Sequence, residues 1–135
     1  MRLFRPMSAV LLLLLAACSS ADTETLLAAP AAGDVYAAEL SAFSAFPFHD
    51  ADAQPIAPAY GLLQVVAADD DGVVVITQNT ASGDPRQARR DLRGDLTDIA
   101  FDDSERIRMS GPALRQAHAD GRITAAHRPD PAPTP

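Results

Sequence analysis

Four arginines placed three or four residues apart are the strongest candidate for chemistry in this sequence. They are Arg86, Arg89, Arg90 and Arg93. Side chains at these spacings share one face of a helix, and forked guanidinium groups suit phosphates and carboxylates. The pattern therefore predicts a face that binds an anion or a partner. The alternative is an exposed helix face on which the arginines pair with Asp91, Asp95 and their neighbours.

An Asp-Asp-Asp-Gly run at 69–72 has the residue types of a calcium loop. An EF-hand loop takes oxygen ligands at positions 1, 3, 5 and 12, with glycine at position 6. If Gly72 takes position 6, Ala67 falls at position 1 and Gln78 at position 12, and neither supplies a carboxylate. The flanking residues also predict strands rather than helices. We therefore interpret the run as the solvated tip of a hairpin.

A second group of acidic residues follows the arginines. Its members are Asp95, Asp98, Asp102, Asp103 and Glu105. Such a group can hold a cation loosely or face a basic partner. It can equally be a solvated face that balances the nearby arginines at little net energy.

The residues needed for covalent or metal catalysis do not form a pattern. His49, His118 and His127 are too far apart in sequence for a helical metal pair. The chain has no lysine and no Gly-x-Ser-x-Gly motif, and its one cysteine is Cys18. We therefore predict no catalytic residue, no metal site and no cofactor, and we do not expect an enzyme.

Five aromatic residues are candidates for a contact patch. They are Tyr36, Phe43, Phe46, Phe48 and Tyr60. Because the chain has no tryptophan, we expect several of them to fill the core instead. The three phenylalanines lie in a long connection over 41–59, and connections of that length are sometimes functional.

Strands are predicted from β-branched and alternating residues. The clearest signal is the pair of apolar segments that flank 69–72, because an Asp-Gly turn between such segments is typical of a hairpin. The predicted strands are 35–40, 61–68, 73–77, 96–101, 105–109 and 123–126.

Two short helices are predicted from the residues at their ends. Asp84 suits an N-cap, Pro85 a first helical position and Gly94 a stop, which places a helix with the four arginines between them. Ser110 and Gly121 bracket a second helix in the same way.

Strands outnumber helices, so we predict a mainly β fold. We expect a small curved antiparallel sheet or a partly open barrel, with a helix near 110–120 packed over it through Leu114 and Ala117. This domain spans 33–127. A flexible tether over 18–32 precedes it, and a proline-rich tail over 128–135 follows it.

The first 18 residues have the order of a bacterial export signal. Arg2 and Arg5 give a positive start, and the apolar residues 7–17 are too few for a transmembrane helix, which needs about 20. The signal ends in the sequence Leu15-Ala16-Ala17-Cys18. This ending resembles the lipobox of bacterial lipoproteins.

The resemblance to lipoproteins implies that 1–17 is a signal peptide and that Cys18 carries a diacylglycerol and an acylated amino group. Two or more acyl chains hold a protein on a membrane, whereas one chain binds reversibly. In that family an Asp after the cysteine favours the inner membrane, and this chain has Ser19 there. The implied location is the cell envelope outside the cytoplasm, on the outer membrane facing the periplasm.

The charge balance limits the class of partner. The chain has 11 basic and 18 acidic residues, all basic residues being arginine, and a formal charge of -7. Without Arg2 and Arg5, nine basic residues face 18 acidic ones, which gives the mature chain a charge of -9. This balance argues against nucleic acid, since a nucleic-acid binder must neutralise phosphates. It favours solubility, or a basic protein partner.

These features predict a membrane-anchored, non-enzymatic binding module. The strand–Asp-Gly–strand segment resembles small β-rich immunity proteins, which implies that the chain neutralises a secreted toxin. The alternative is a structural or assembly subunit of an envelope complex. Neither expectation depends on a cofactor.

Overall fold

The computed structural model describes residues 22–130, which form one five-stranded antiparallel sheet, a small two-stranded sheet and three short helices. The strands are β1 (Val35–Glu39), β2 (Phe48–His49), β3 (Pro55–Ile56), β4 (Tyr60–Asp69), β5 (Gly72–Gln78), β6 (Phe101–Ser110) and β7 (Ile123–His127). The helices are α1 (22–28), α2 (Pro85–Arg93) and α3 (Gly111–Ala119).

The main sheet has the order β6-β5-β4-β1-β7, so β6 and β7 are its two edges. β2 and β3 pair only with each other. The sheet is open and all its neighbouring strands are antiparallel. The predicted mainly β fold is therefore confirmed, and of the two predicted forms the main sheet is the open antiparallel one.

Helices cover both faces of the sheet because alternate side chains of the central strands point in opposite directions. On one face, Tyr36 and Leu63 pack with Leu27 of α1 and Leu114 of α3. On the other face, residues of β1 and β4 pack with α2. That second cluster consists of Val35, Ala37, Leu62, Ala88 and Leu92. The central strands are therefore apolar on both faces, as their sequence requires.

The β4–β5 hairpin turns at Asp70 and Asp71, with Asp69 paired to Gly72. The Asp69 carboxylate accepts hydrogen bonds from the backbone nitrogens of Asp71 at 2.8 Å and Gly72 at 3.1 Å. Gly72 has a φ of +152°, and a Cβ there would collide with the carbonyl oxygen of Met109. Glycine is therefore required where the hairpin crosses β6.

Both predicted helices form between the predicted caps. Asp84 accepts a hydrogen bond from the backbone nitrogen of Arg86 at 3.0 Å, which caps α2. Ser110 accepts one from Ala113 at 3.2 Å, which caps α3. Leu114 is buried under α3 as predicted.

The strand predicted over 96–101 is wrong for most of its length. Leu96–Asp98 form a 3-10 turn, and β6 begins only at Phe101. The Asp95 carboxylate accepts hydrogen bonds from the backbone nitrogen of Thr97 at 3.0 Å and from its hydroxyl at 2.6 Å. This local capping competes with strand pairing.

Two segments outside the predicted domain are packed onto it. Residues 22–28, predicted as part of a flexible tether, form α1, and Leu27 is only 1% exposed. Arg128, predicted to begin the tail, forms an ion pair with Asp34. The predicted signal, the lipobox with Cys18, and the last five residues lie outside the described part of the chain.

No helix within residues 22–130 is long and apolar enough to cross a membrane.

Candidate functional site

The four arginines project from the solvent side of α2, opposite the buried Ala88 and Leu92. They do not form one equivalent set. Arg86 is held by the Asp84 carboxylate through two contacts of 3.2 Å. Arg90 donates to the side-chain oxygen of Gln87 at 2.9 Å.

Arg89 and Arg93 line a groove of about 740 Å³ along the β7 edge of the sheet. The groove is formed by the end of α2, the start of α1, one residue of α3, and β7 itself. Its lining residues are Asp22, Thr23, Arg89, Leu92, Arg93, Gly94, His118, Thr124, Ala125, Ala126 and His127. We call it the β7 groove.

The β7 groove carries more positive than negative charge. The Arg89 guanidinium forms no ion pair or hydrogen bond with any described residue, and the Arg93 Nε donates to the Arg89 carbonyl at 3.3 Å. Asp22 is the one carboxylate among the described residues that line it. His127 adds an imidazole to the lining.

The outer edge of β7 is partly covered by the helices. The backbone nitrogen of Ala126 donates to the Thr23 hydroxyl of α1 at 3.4 Å. His118 Nδ1 lies 2.9 Å from the carbonyl oxygen of Ile123, so this nitrogen carries the proton and donates. These contacts fix α1 and α3 against the groove.

The ion pair between Arg128 and Asp34 fastens the chain next to the β7 groove. Arg128 donates to the two carboxylate oxygens at 2.7 and 3.0 Å and to the carbonyl oxygen of Ala29 at 2.9 Å. Asp34 is fully buried, whereas the Arg128 side chain is 46% exposed. The hydrogen bonds with Asp34 raise the pKa of Arg128. Arg128 therefore connects the end of β7 to the residues that follow α1 and precede β1.

Tyr36 lies in the core beside this ion pair. Its hydroxyl is buried and has no hydrogen-bond partner within the described part of the chain. Burial, and secondarily the charge of Asp34, raise the pKa of this phenol above its ordinary value of 10.0. Tyr36 is therefore neutral at physiological pH and serves the core, not a contact patch.

The opposite edge of the sheet holds a second site. Glu105 of β6 accepts hydrogen bonds from the Ser44 hydroxyl at 2.5 Å and from the backbone nitrogen of Ala45 at 2.9 Å. The next residue, Phe46, is 63% exposed. Glu105 thus holds the loop that presents Phe46 to solvent.

Phe46 borders a polar pocket of about 260 Å³. Its lining residues are Ser44, Phe46, Pro47, Phe48, His49, Thr77, Gln78, Asn79, Asp102, Ser104 and Glu105. Hydrogen bonds from Ser104 lower the pKa of Asp102, so it is ionised near neutral pH. We call Phe46 and this pocket the Phe46 site.

The other residues predicted for chemistry are distributed between the two edges. Of the acidic group, Asp102 and Glu105 line the Phe46 site, Asp95 caps the 3-10 turn and Asp103 pairs with Arg106 at 3.0 Å. Within residues 22–130, no three residues of the types that bind metals are grouped closely enough to hold an ion.

Of the five aromatic residues considered for a contact patch, only Phe46 is largely exposed. Phe43 and Phe48 pack against the core, and Tyr60 packs against the α2 cluster. Sequence reasoning missed the clamp by Glu105 and the pairing of Asp34 with Arg128. Neither leaves a local sequence signal, because the partners are 61 and 94 residues apart.

No protein-family model, curated protein or solved structure matches the chain.

Proposed function

We propose that the protein is a lipoprotein of the cell envelope, anchored through Cys18, whose domain binds a protein partner without catalysing a reaction. The anchor is supported by the complete lipobox Leu15-Ala16-Ala17-Cys18 behind a positive start and an apolar segment. The lipoprotein family implies acylation of Cys18 and attachment to the outer membrane facing the periplasm.

The single observation that supports partner binding is the exposure of Phe46 on a fixed loop. Phe46 is 63% exposed, and the described chain has no other large hydrophobic side chain exposed to this degree. Interfaces draw much of their affinity from aromatic anchors with a polar surround. A loop that is already held in place, here by Glu105, loses little freedom on binding.

The charge around Phe46 indicates the class of partner. Asp102 and Glu105 line the site, and Asp103 lies next to them in β6. Acidic groups around an anchor speed and orient the approach of a basic partner. Among basic partners we favour a secreted toxin that the lipoprotein neutralises, which would make the protein an immunity protein.

The test is an affinity pull-down from detergent-solubilised envelope, followed by affinity measurement with the recovered partner. Phe46→Ala should weaken binding by about 30-fold, since a truncated hot-spot side chain costs about 2 kcal/mol or more. Arg122→Ala is the matched control, because it shortens an exposed side chain that lines neither site. Its affinity should equal that of the wild type.

The outcomes separate the candidate roles. Recovery of a secreted toxin supports the immunity role, and recovery of an assembly component supports the alternative of an accessory subunit. Equal binding by wild type and Phe46→Ala would contradict the Phe46 site. A bait that recovers no partner under these conditions would contradict the binding-module proposal.

A further inference from the structure

The lipid anchor must lie close to the β7 groove. Asp22 and Thr23 line that groove, and only three residues separate Asp22 from Cys18. A fully extended chain advances at most about 3.6 Å per residue, so Cys18 lies within about 14 Å of Asp22. If Cys18 is acylated, the membrane surface is therefore within reach of the groove.

The packing of α1 on the domain shortens the tether between Cys18 and the sheet, which limits how far the domain can move from this surface. Leu27 is 1% exposed in the core, and Thr23 accepts a hydrogen bond from the backbone of β7. The short link from Cys18 therefore leads directly into a helix that is packed on the sheet. A tether over the whole of 18–32 would have allowed many more orientations.

The positive charge of the β7 groove suits an anionic membrane surface. Arg89 and Arg93 project there without a carboxylate partner in the described chain, and guanidinium groups bind phosphate in a forked geometry. The opposite edge strand carries Asp102, Asp103 and Glu105 against Arg106 and Arg108, so its net charge is negative and an anionic surface does not attract it. The two edges are four strand spacings apart, or about 19 Å.

We propose that the β7 groove binds the phosphates of anionic phospholipids in the membrane that holds Cys18, so that the Phe46 site faces away from that membrane. This inference rests on the proposed lipid anchor. It goes further, because it assigns Arg89 and Arg93 a ligand and gives the domain a fixed orientation. Each arginine at an anionic surface contributes about fivefold, so the two together favour this orientation by about 30-fold.

Histidine footprinting of the lipid-bearing protein tests the orientation. The protein would be reconstituted in vesicles of phosphatidylcholine alone or of an equimolar mixture with phosphatidylglycerol, then treated with diethyl pyrocarbonate. His127 reports on the β7 groove, and His49, which lines the Phe46 site, is the internal control. We expect the anionic lipid to slow labelling of His127 by about tenfold or more, with His49 unchanged.

Two variants with the same change in charge identify the groups responsible. Arg89→Gln/Arg93→Gln should abolish the protection of His127. Arg106→Gln/Arg108→Gln should retain it, because these arginines lie on β6 at the other edge. Equal labelling of His127 in both vesicles, or equal protection in both double variants, would overturn the proposal.

Two further measurements distinguish membrane phosphate from free phosphate as the ligand and test the lipid anchor independently of the groove. Inorganic phosphate added to neutral vesicles should not protect His127; full protection by free phosphate would overturn the assignment to the membrane. Flotation with neutral vesicles reports on the anchor alone. Protein that floats but shows no lipid-dependent protection contradicts the groove proposal and leaves the anchor intact, whereas protein that does not float contradicts the anchor.

Discussion

The two edge strands of the sheet, β6 and β7, are protected from pairing with another chain in different ways. An edge strand exposes backbone groups that invite pairing with another chain. At β7, α1 and His118 contact the strand, and the pair of Asp34 and Arg128 fastens the ends. At β6, charged side chains and an irregular pairing protect the edge. The β7 edge is packed against helices, whereas the β6 edge lies beside the loop that exposes Phe46.

The irregularity in β6 also creates the Phe46 site. Val75 pairs with Ile107 but Thr77 pairs with Asp102, so residues 103–106 bulge from the ladder. The bulge brings Glu105 to the loop before Phe46. Bulges of this kind re-aim side chains beside binding sites. The comparison therefore predicts that stability depends on the β7 side and binding on the β6 side.

The largest expected effect on stability is at α1. Leu27→Ala should lower the free energy of unfolding by about 3 kcal/mol, because it removes a fully buried side chain from the core. Phe46→Ala is the control, with a change within about 0.5 kcal/mol for an exposed residue. Urea denaturation measures both. A small loss for Leu27→Ala would mean that α1 is not part of the folded core.

A smaller effect is expected from the ion pairs at the two edges. Arg128→Gln leaves the buried Asp34 without its cation and should cost about 2 kcal/mol, less than a fully buried pair because Arg128 is 46% exposed. Arg108→Gln breaks an exposed pair with Asp69 on the β6 side and should cost about 0.5 kcal/mol. Urea denaturation measures both variants. An equal loss in the free energy of unfolding would contradict the expectation that the β7 side contributes more to stability than the β6 side.

The smallest effect is acid sensitivity on the β6 side. Backbone hydrogen bonds from Asp71 lower the pKa of Asp69, and hydrogen bonds from Ser104 lower that of Asp102. A carboxyl with a lowered folded pKa stabilises the fold fully above its ordinary pKa, and this stability is lost as the pH falls through the folded value. The midpoint temperature of thermal unfolding should therefore be constant above about pH 5 and fall below about pH 4.

Asp102→Asn should reduce this acid-dependent loss slightly, since it removes one of the groups that must be protonated. An acid profile identical to that of the wild type would show that Asp102 gains nothing from its hydrogen bonds.

Local signals were sufficient to predict α2, α3 and the β4–β5 hairpin. Asp84 and Ser110 cap α2 and α3 because capping involves only neighbouring residues. The alternation of apolar and polar residues over 96–101 is typical of a strand. Asp95 instead accepts two hydrogen bonds from Thr97, which stabilise a 3-10 turn. The sequence around Leu27 has few distinguishing features, and α1 forms because tertiary packing buries that side chain.

The candidate sites were harder to predict, because they depend on contacts between distant residues. The sequence placed four arginines on one helix face but could not show that Arg86 is paired and that Arg89 lines a groove. It could not distinguish Phe46 from Phe43 and Phe48, since all three lie in one connection. Only the packing of that loop against β6 exposes Phe46.

In the arrangement that we propose, a lipid on Cys18 would hold the β7 edge at a membrane and leave the β6 edge free to bind a partner. Intact mass analysis of the protein purified from the membrane fraction of its bacterial host measures the state of Cys18. We predict a chain that begins at Cys18, without residues 1–17, and carries a diacylglycerol and an acyl chain on that residue. A retained leader or an unmodified Cys18 would contradict this prediction.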